Sequence, residues 1–175
     1  MTNKFLNKLI KEGKLGIVEP SEDICNSYLE KSANCLKSAK LLSENNLYEN
    51  SISMSYYAMY NLLLALLFRV GIKCENHNVS ILLLKLLFCE NGLYKLISDA
   101  KNERIDKQYY VTKEKDEITG QITDELIKNA EYFILKLKVV IRNLNNDTIE
   151  DIIKRFKMIG NSRIVKSGLN KSSGQ

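Results

Sequence analysis

The segment from residue 48 to 70 constrains the fold more than any other part of the chain. Between Tyr56 and Phe68, tyrosines aside, Asn61 is the only polar residue. An α-helix that is apolar on every side belongs either in a protein core or in a bilayer. A membrane span needs about 20 predominantly apolar residues, whereas serines interrupt this stretch on one side and Arg69 ends it on the other. We therefore predict the central helix of a helical bundle and no membrane association.

Apolar residues spaced three or four apart predict further helices on both sides of this segment. Ser21, followed by two acidic residues, has the character of an N-cap and starts a long helix that reaches about residue 45. Asp147, with Glu150 three residues later, resembles a capping box at the start of the last helix. The remaining helices are expected at about 2–12, 77–90, 93–106, 118–144 and 147–156, with a polar loop at 71–76.

Together these segments predict an all-α fold, an up-and-down bundle of four to five antiparallel helices with short extra terminal helices. A length of 175 residues suits one hydrophobic core. We expect residues 1–20 to form a short N-terminal amphipathic helix and loop, 21–145 the bundle, and 146–175 a short helix and a flexible basic tail.

Charge and cysteine content narrow the functional classes. The net charge of +5 permits nucleic-acid binding without demonstrating it. The four cysteines are widely spaced and show no paired metal-ligand pattern, so we interpret them as reduced core thiols and expect neither a metal nor a cofactor. The N-terminus lacks the continuous apolar stretch of a signal peptide, which favours a cytoplasmic protein.

Three segments follow one another in a distinctive order. They are Tyr28–Leu42, then Ser55–Tyr60 with a leucine-rich run leading to Gly71 and His77, and finally Arg104–Tyr110. Across residues 28–135 this order resembles the HEPN family (higher eukaryotes and prokaryotes nucleotide-binding), whose small stand-alone members are helical bundles. The resemblance implies a homodimer formed through the helices that bear these segments. It also implies RNA or a nucleotide as ligand, and a minimal nucleotidyltransferase as partner, as in toxin–antitoxin pairs.

The resemblance also allows a test for ribonuclease chemistry. Active members of the family are similar to one another in cleaving RNA without a metal. They use an arginine and a histidine that are separated by four to six residues. His77 is the only histidine, and seven residues separate it from Arg69. After Arg104 and four further residues stands Tyr109, where the family has its histidine. A phenol with a pKa of about 10 is a poor proton carrier at neutral pH. The tyrosine in place of the family's histidine therefore argues against efficient RNA cleavage.

We therefore expect a binding module that engages RNA, a nucleotide or a nucleotidyltransferase. The residues expected to line its cleft are Tyr57, Tyr60, Arg69, His77, Arg104, Asp106 and Tyr109. The first alternative is a metal-independent ribonuclease acting on single-stranded RNA or tRNA, with Arg104, His77 and Arg69 as catalytic candidates. The second is a structural dimerisation scaffold.

Simpler interpretations exist for the same residues. The tyrosines of the central helix would pack in the core with their hydroxyls satisfied at its edge. His77 would be a helix-start residue without chemistry. Arg104 and Asp106 would form a weak surface ion pair.

Overall fold

A computed structural model describes the backbone of residues 3–109 and 116–161 and the side chains of residues 4–106 and 120–159. The elements within these ranges are α1 (Asn3–Lys11), β1 (Leu15–Ile17), α2 (Glu22–Glu44), α3 (Tyr48–Arg69), β2 (Ile72–Cys74), α4 (His77–Phe88), α5 (Asn91–Tyr109), α6 (Asp116–Arg142) and α7 (Asn146–Asn161). The predicted all-α bundle is confirmed.

Helix α3 lies at the centre of the bundle and contacts α2, α4, α5, α6 and β2. Its leucines at positions 62, 63, 66 and 67 have no exposed surface, which shows burial on more than one side. Among the described helices α3 alone is long and apolar enough to cross a membrane, and 72% of that apolar window is buried inside the fold. This burial is what the sequence predicted for a core helix.

Two buried serines fasten α2 to α3. The Ser32 hydroxyl donates to the carbonyl oxygen of Ala58 at 2.7 Å, and the Ser51 hydroxyl donates to that of Ala39, also at 2.7 Å. Each such bond contributes about 1 kcal/mol net. The bonds also fix the axial register of α3, which sets where its tyrosines lie.

The predicted polar loop at 71–76 is wrong in part, because it contains strand β2. β2 pairs antiparallel with β1 through Leu15 and Cys74, Gly16 and Lys73, and Ile17 and Ile72. Three-residue strands are too short to show an alternating pattern, and their partner is distant in the sequence, so nothing local signals them. The turn before β2 needs Gly71, whose φ is +75° and whose missing Cβ would lie 2.6 Å from the Val18 carbonyl oxygen.

Two helix ends also differ from the predictions. α4 ends at Phe88, because Cys89 adopts a left-handed conformation with φ 58°. α7 is capped by Asn145, whose Oδ1 accepts a hydrogen bond from the Thr148 amide at 2.8 Å, so the predicted capping box at Asp147 is wrong. α7 continues through Gly160 to residue 161, and the rest of the predicted tail lies outside the described residues.

Candidate functional site

His77 is fixed at the first turn of α4. The residue before it, Asn76, is the N-cap, and its side-chain oxygen accepts a hydrogen bond from the Val79 amide at 3.1 Å. Strand β2 ends at Cys74, so the short sheet leads the chain directly into this turn. A local cap and a nonlocal strand pairing thus determine where the imidazole stands.

Two tyrosines of α3 hold the imidazole ring. The Tyr56 hydroxyl oxygen lies 2.7 Å from Nδ1 of His77, a hydrogen bond whose donor depends on the histidine tautomer. The Tyr60 ring stacks on the imidazole with centroids 3.9 Å apart and planes 20° apart. Tyr56 and Tyr60 are buried, whereas His77 is half-buried.

Arg104 of α5 completes the site from the other side. The central carbon of its guanidinium lies 5.3 Å from the ring centroid of Tyr56 and 5.7 Å from that of Tyr57, which is cation–π geometry. We call Tyr56, Tyr57, Tyr60, His77 and Arg104 the aromatic–arginine cluster. Helices α3, α4 and α5 each contribute to it.

The electrostatics of the cluster favour neutral rings around one fixed cation. Burial lowers the pKa of His77, and the charges of Arg104 and Lys101 lower it further. Burial raises the pKa of Tyr60 to about 12 and raises that of Tyr56 well above its usual value. At neutral pH the imidazole is therefore uncharged, both phenols keep their protons, and the guanidinium remains positive.

The structure separates several predicted site residues from the cluster. Arg69 lies nine residues beyond Tyr60, about 14 Å along the axis of α3, and its charge acts on the Cys25 thiol. Asp106 is exposed on α5, and the side chain of Tyr109 lies outside the described residues. Arg69 was a reasonable candidate only because it precedes His77 in the sequence.

Two neighbouring residues were missed by the sequence interpretation. The Lys101 ammonium donates a hydrogen bond to Oδ1 of Asn78 at 2.6 Å, joining α5 to α4 beside the cluster. Lys101 lies three residues before Arg104, so the helical period alone would have placed both cations on neighbouring turns of one face. Within the described part of the chain, no group of three His, Cys, Asp or Glu residues is placed to hold a metal ion.

Comparison with known proteins matches this sequence to a family. A HEPN domain model matches residues 25–140, which include every member of the aromatic–arginine cluster. A protein from Methanocaldococcus jannaschii named "Putative toxin MJ0605" is 27% identical over 144 residues, which cover 80% of this chain and 97% of that protein. The resemblance found in the sequence is confirmed, and the chain belongs to the HEPN domain family.

Proposed function

We propose that this HEPN protein serves a toxin–antitoxin-like system by binding single-stranded RNA at the aromatic–arginine cluster. The observation that carries the proposal is the Arg104 guanidinium held against two tyrosine rings beside a neutral imidazole. The planar fork of arginine suits a phosphate group, and splayed RNA bases stack on aromatic side chains. The name of the archaeal relative supports the toxin-like part.

The pKa values of the groups that could carry a proton in the cluster favour RNA binding over RNA cleavage. RNA cleavage without a metal needs one group to take a proton and another to give one. His77 is the only member of the cluster whose ordinary pKa is near neutrality. Tyr56 and Tyr60 have raised pKa values, so neither phenol ionises readily. We infer that the cluster holds a phosphate more readily than it breaks the bond next to it.

A second candidate, the metal-independent ribonuclease, is favoured by one specific observation. The fold brings Arg104 close enough to His77 for its charge to lower the histidine pKa, although 27 positions separate the two residues in the sequence. An arginine and a neutral imidazole near one phosphate are the minimal pair for such chemistry. The sequence had left both Arg69 and Arg104 open as the arginine of such a site.

The other expectations remain predictions. They are the homodimer, the nucleotidyltransferase partner, the nucleotide as ligand and the cytoplasmic location. A structural scaffold that binds no ligand is the third functional class. It predicts no measurable RNA binding, either by the wild-type protein or by variants of the cluster.

Binding is tested by titrating the protein into labelled single-stranded RNA and following fluorescence anisotropy. We expect Arg104→Ala to weaken binding by about 10- to 100-fold, the effect of losing charge-assisted hydrogen bonds worth roughly 1.5–3 kcal/mol. Arg69→Ala is the matched control, because it removes the same charge about 14 Å away along α3 and should leave the affinity unchanged. Equal affinities for Arg104→Ala and wild type would contradict the proposal.

Cleavage is tested on the same RNA in EDTA, with products resolved on a denaturing gel. The expected result is intact RNA under conditions in which binding is complete. Scission by the wild-type protein that disappears in both His77→Ala and Arg104→Ala would replace the binding function with the ribonuclease.

A further inference from the structure

A groove between α4 and α5 opens beside the aromatic–arginine cluster. It encloses a cavity of about 280 Å³. The residues that line this α4–α5 groove are Asn78, Ile81 and Leu82 of α4 and Tyr94, Ser98, Lys101 and Asn102 of α5. Both sets follow the helical period, so each helix turns one continuous face towards the groove.

The α4–α5 groove is continuous with the cluster at one end. Asn78 follows His77 directly in α4, and Lys101 lies one turn before Arg104 in α5. The Lys101 ammonium bonds to Oδ1 of Asn78 at 2.6 Å, so it stands beside the turn of α4 that carries the imidazole. A phosphate held by Arg104 would therefore leave its attached nucleoside at the mouth of the groove.

The lining of the α4–α5 groove combines apolar surface with amide groups. Ile81 is 3% exposed and forms apolar wall with Leu82, while the Tyr94 ring supplies an aromatic surface. Asn102 is exposed and offers both an amide donor and an amide acceptor. The Ser98 hydroxyl donates to the Tyr94 carbonyl at 2.7 Å and keeps its oxygen as an acceptor.

The charges at the α4–α5 groove suit an anionic ligand. Lys101 lies in its lining, and the Lys85 ammonium stands 5.4 Å from the Tyr94 ring centroid. Among the described residues that line the cavity, none is acidic. The groove therefore does not repel the phosphate backbone to which a base is attached.

We propose that the α4–α5 groove is a nucleobase subsite that takes the base next to the phosphate bound by Arg104. In this subsite the Tyr94 ring contacts the face of the base, and the Asn102 amide bonds to its edge. The inference rests on the proposed RNA-binding function and adds the base to it.

The chemistry of the α4–α5 groove selects a base over simpler ligands. A nucleobase has apolar faces and an edge of donors and acceptors, which matches an apolar wall bordered by amides. An apolar ligand would leave the amide of Asn102 facing it without a partner, at a cost in affinity. A second phosphate would find Lys101 already bonded to Asn78, and no arginine among the residues described in the lining.

The test measures the affinity of the protein for short RNA homopolymers of A, C and U. Tyr94→Leu keeps the apolar volume and removes the aromatic face, and we expect it to weaken binding of all three about tenfold. Asn102→Ala should change the ratio of affinities among the homopolymers by about fivefold or more, because the edge contact distinguishes bases. Asn129→Ala is the matched control, because Asn129 belongs to α6 and lines a different cavity, on the side of α5 that faces away from the α4–α5 groove. Circular dichroism verifies that each variant is folded.

The outcomes separate this inference from the function on which it rests. If Arg104→Ala abolishes binding while Tyr94→Leu and Asn102→Ala leave affinities and ratios unchanged, the base lies elsewhere and the inference is wrong. If Arg104→Ala has no effect on binding, the proposed function itself is wrong. Equal effects of Asn102→Ala and Asn129→Ala would also overturn the subsite.

Discussion

Helix α5 separates two grooves of opposite charge. On one side is the α4–α5 groove, with Lys101 in its lining and Arg104 at its end. On the other side, between α5 and α6, is a smaller cavity of about 170 Å³. The charged residues of this α5–α6 groove are Asp99, Glu103 and Glu125, and none of its described lining residues is basic.

The contrast teaches how a chain with a small net charge can present a defined basic surface to an anionic ligand such as the proposed RNA. A net charge of +5 over 175 residues gives only weak general attraction. Segregation across α5 concentrates the attraction on the side where the aromatic–arginine cluster lies and repels phosphates from the opposite side. The direction of binding would therefore be set by the sign of the local charge rather than by the total.

Among the tests of this comparison, the largest effect is expected from reversing the charge of Lys101 in the α4–α5 groove. Lys101→Glu places a carboxylate in the α4–α5 groove and should weaken RNA binding about tenfold or more, which corresponds to about 1.4 kcal/mol. It should also reduce the salt dependence of binding, because the groove then repels the phosphate backbone instead of attracting it. Both quantities come from anisotropy titrations over a range of salt concentrations.

Glu103→Lys is the matched control, two residues away on the same helix. It changes the net charge by the same amount in the opposite direction, but in the α5–α6 groove. A helix is about 10 Å across, which exceeds the screening length of about 8 Å at physiological salt, so the affinity should change less than twofold. If Glu103→Lys strengthens binding as much as Lys101→Glu weakens it, net charge decides and the comparison between grooves fails.

Much of the bundle could be predicted from the sequence, but the charge segregation could not. The apolar run from Tyr56 to Phe68 and the Ser21 cap act locally, and both predicted helices formed where expected. The polar end of α5 alternates in sign, with Lys101, Glu103 and Arg104 close together in the sequence. Such a pattern is typical of a solvated surface until the neighbours of the helix are known.

The candidate site shows the same limit more sharply. Tyr57, Tyr60 and His77 were identified as site residues because they belong to recognisable segments, but Tyr56, which bonds to His77, was not among the predicted site residues. The pairing of His77 with Arg104 depends on the packing of α4 against α5 and on the β1–β2 ribbon that precedes α4. Arg69 was a candidate partner of His77 because it is nearer in the sequence, but it lies further along the axis of α3, away from the cluster. Proximity in sequence was the wrong criterion, since a helix separates residues along its axis by 1.5 Å each.

A smaller effect is expected from pH, because His77 stands at the basic side of α5. Its pKa in the free protein is lowered by burial first and then by Arg104 and Lys101. A bound phosphate would counter both cations and favour the charged imidazole, so RNA binding should raise the His77 pKa. By linkage, the affinity for RNA should increase several-fold as the pH falls from the His77 pKa of the bound state to the lower pKa of the free protein, which lies below the ordinary value of 6.5.

Anisotropy titrations between pH 7.5 and pH 5.5 measure this dependence. His77→Gln keeps hydrogen-bonding capacity without a titrating ring and should remove the increase. Glu103→Gln, in the α5–α6 groove, should leave the increase intact. An affinity that falls towards acidic pH in the wild type would place the imidazole away from the phosphate.

The smallest effect concerns the free protein, and it isolates the electrostatic difference between the grooves without any ligand. Burial and the two neighbouring cations hold the folded-state pKa of His77 below the ordinary histidine value of 6.5, so below that pH the unfolded chain binds a proton more readily than the folded chain does. The contribution of His77 to the free energy of unfolding should therefore be complete above pH 6.5 and decrease as the pH falls towards the folded-state pKa.

Because His77 is the only histidine, its ring signals in an NMR titration report this pKa without assignment ambiguity. Lys101→Gln removes one of the two cations and should raise the pKa of His77, which reduces the loss of stability in acid. Glu103→Gln removes a charge of the opposite groove and should leave the pKa where it is. Equal and opposite shifts in the two variants would mean that α5 does not separate the two charge environments. A shift confined to Lys101→Gln would show that the imidazole senses only the basic side of the helix.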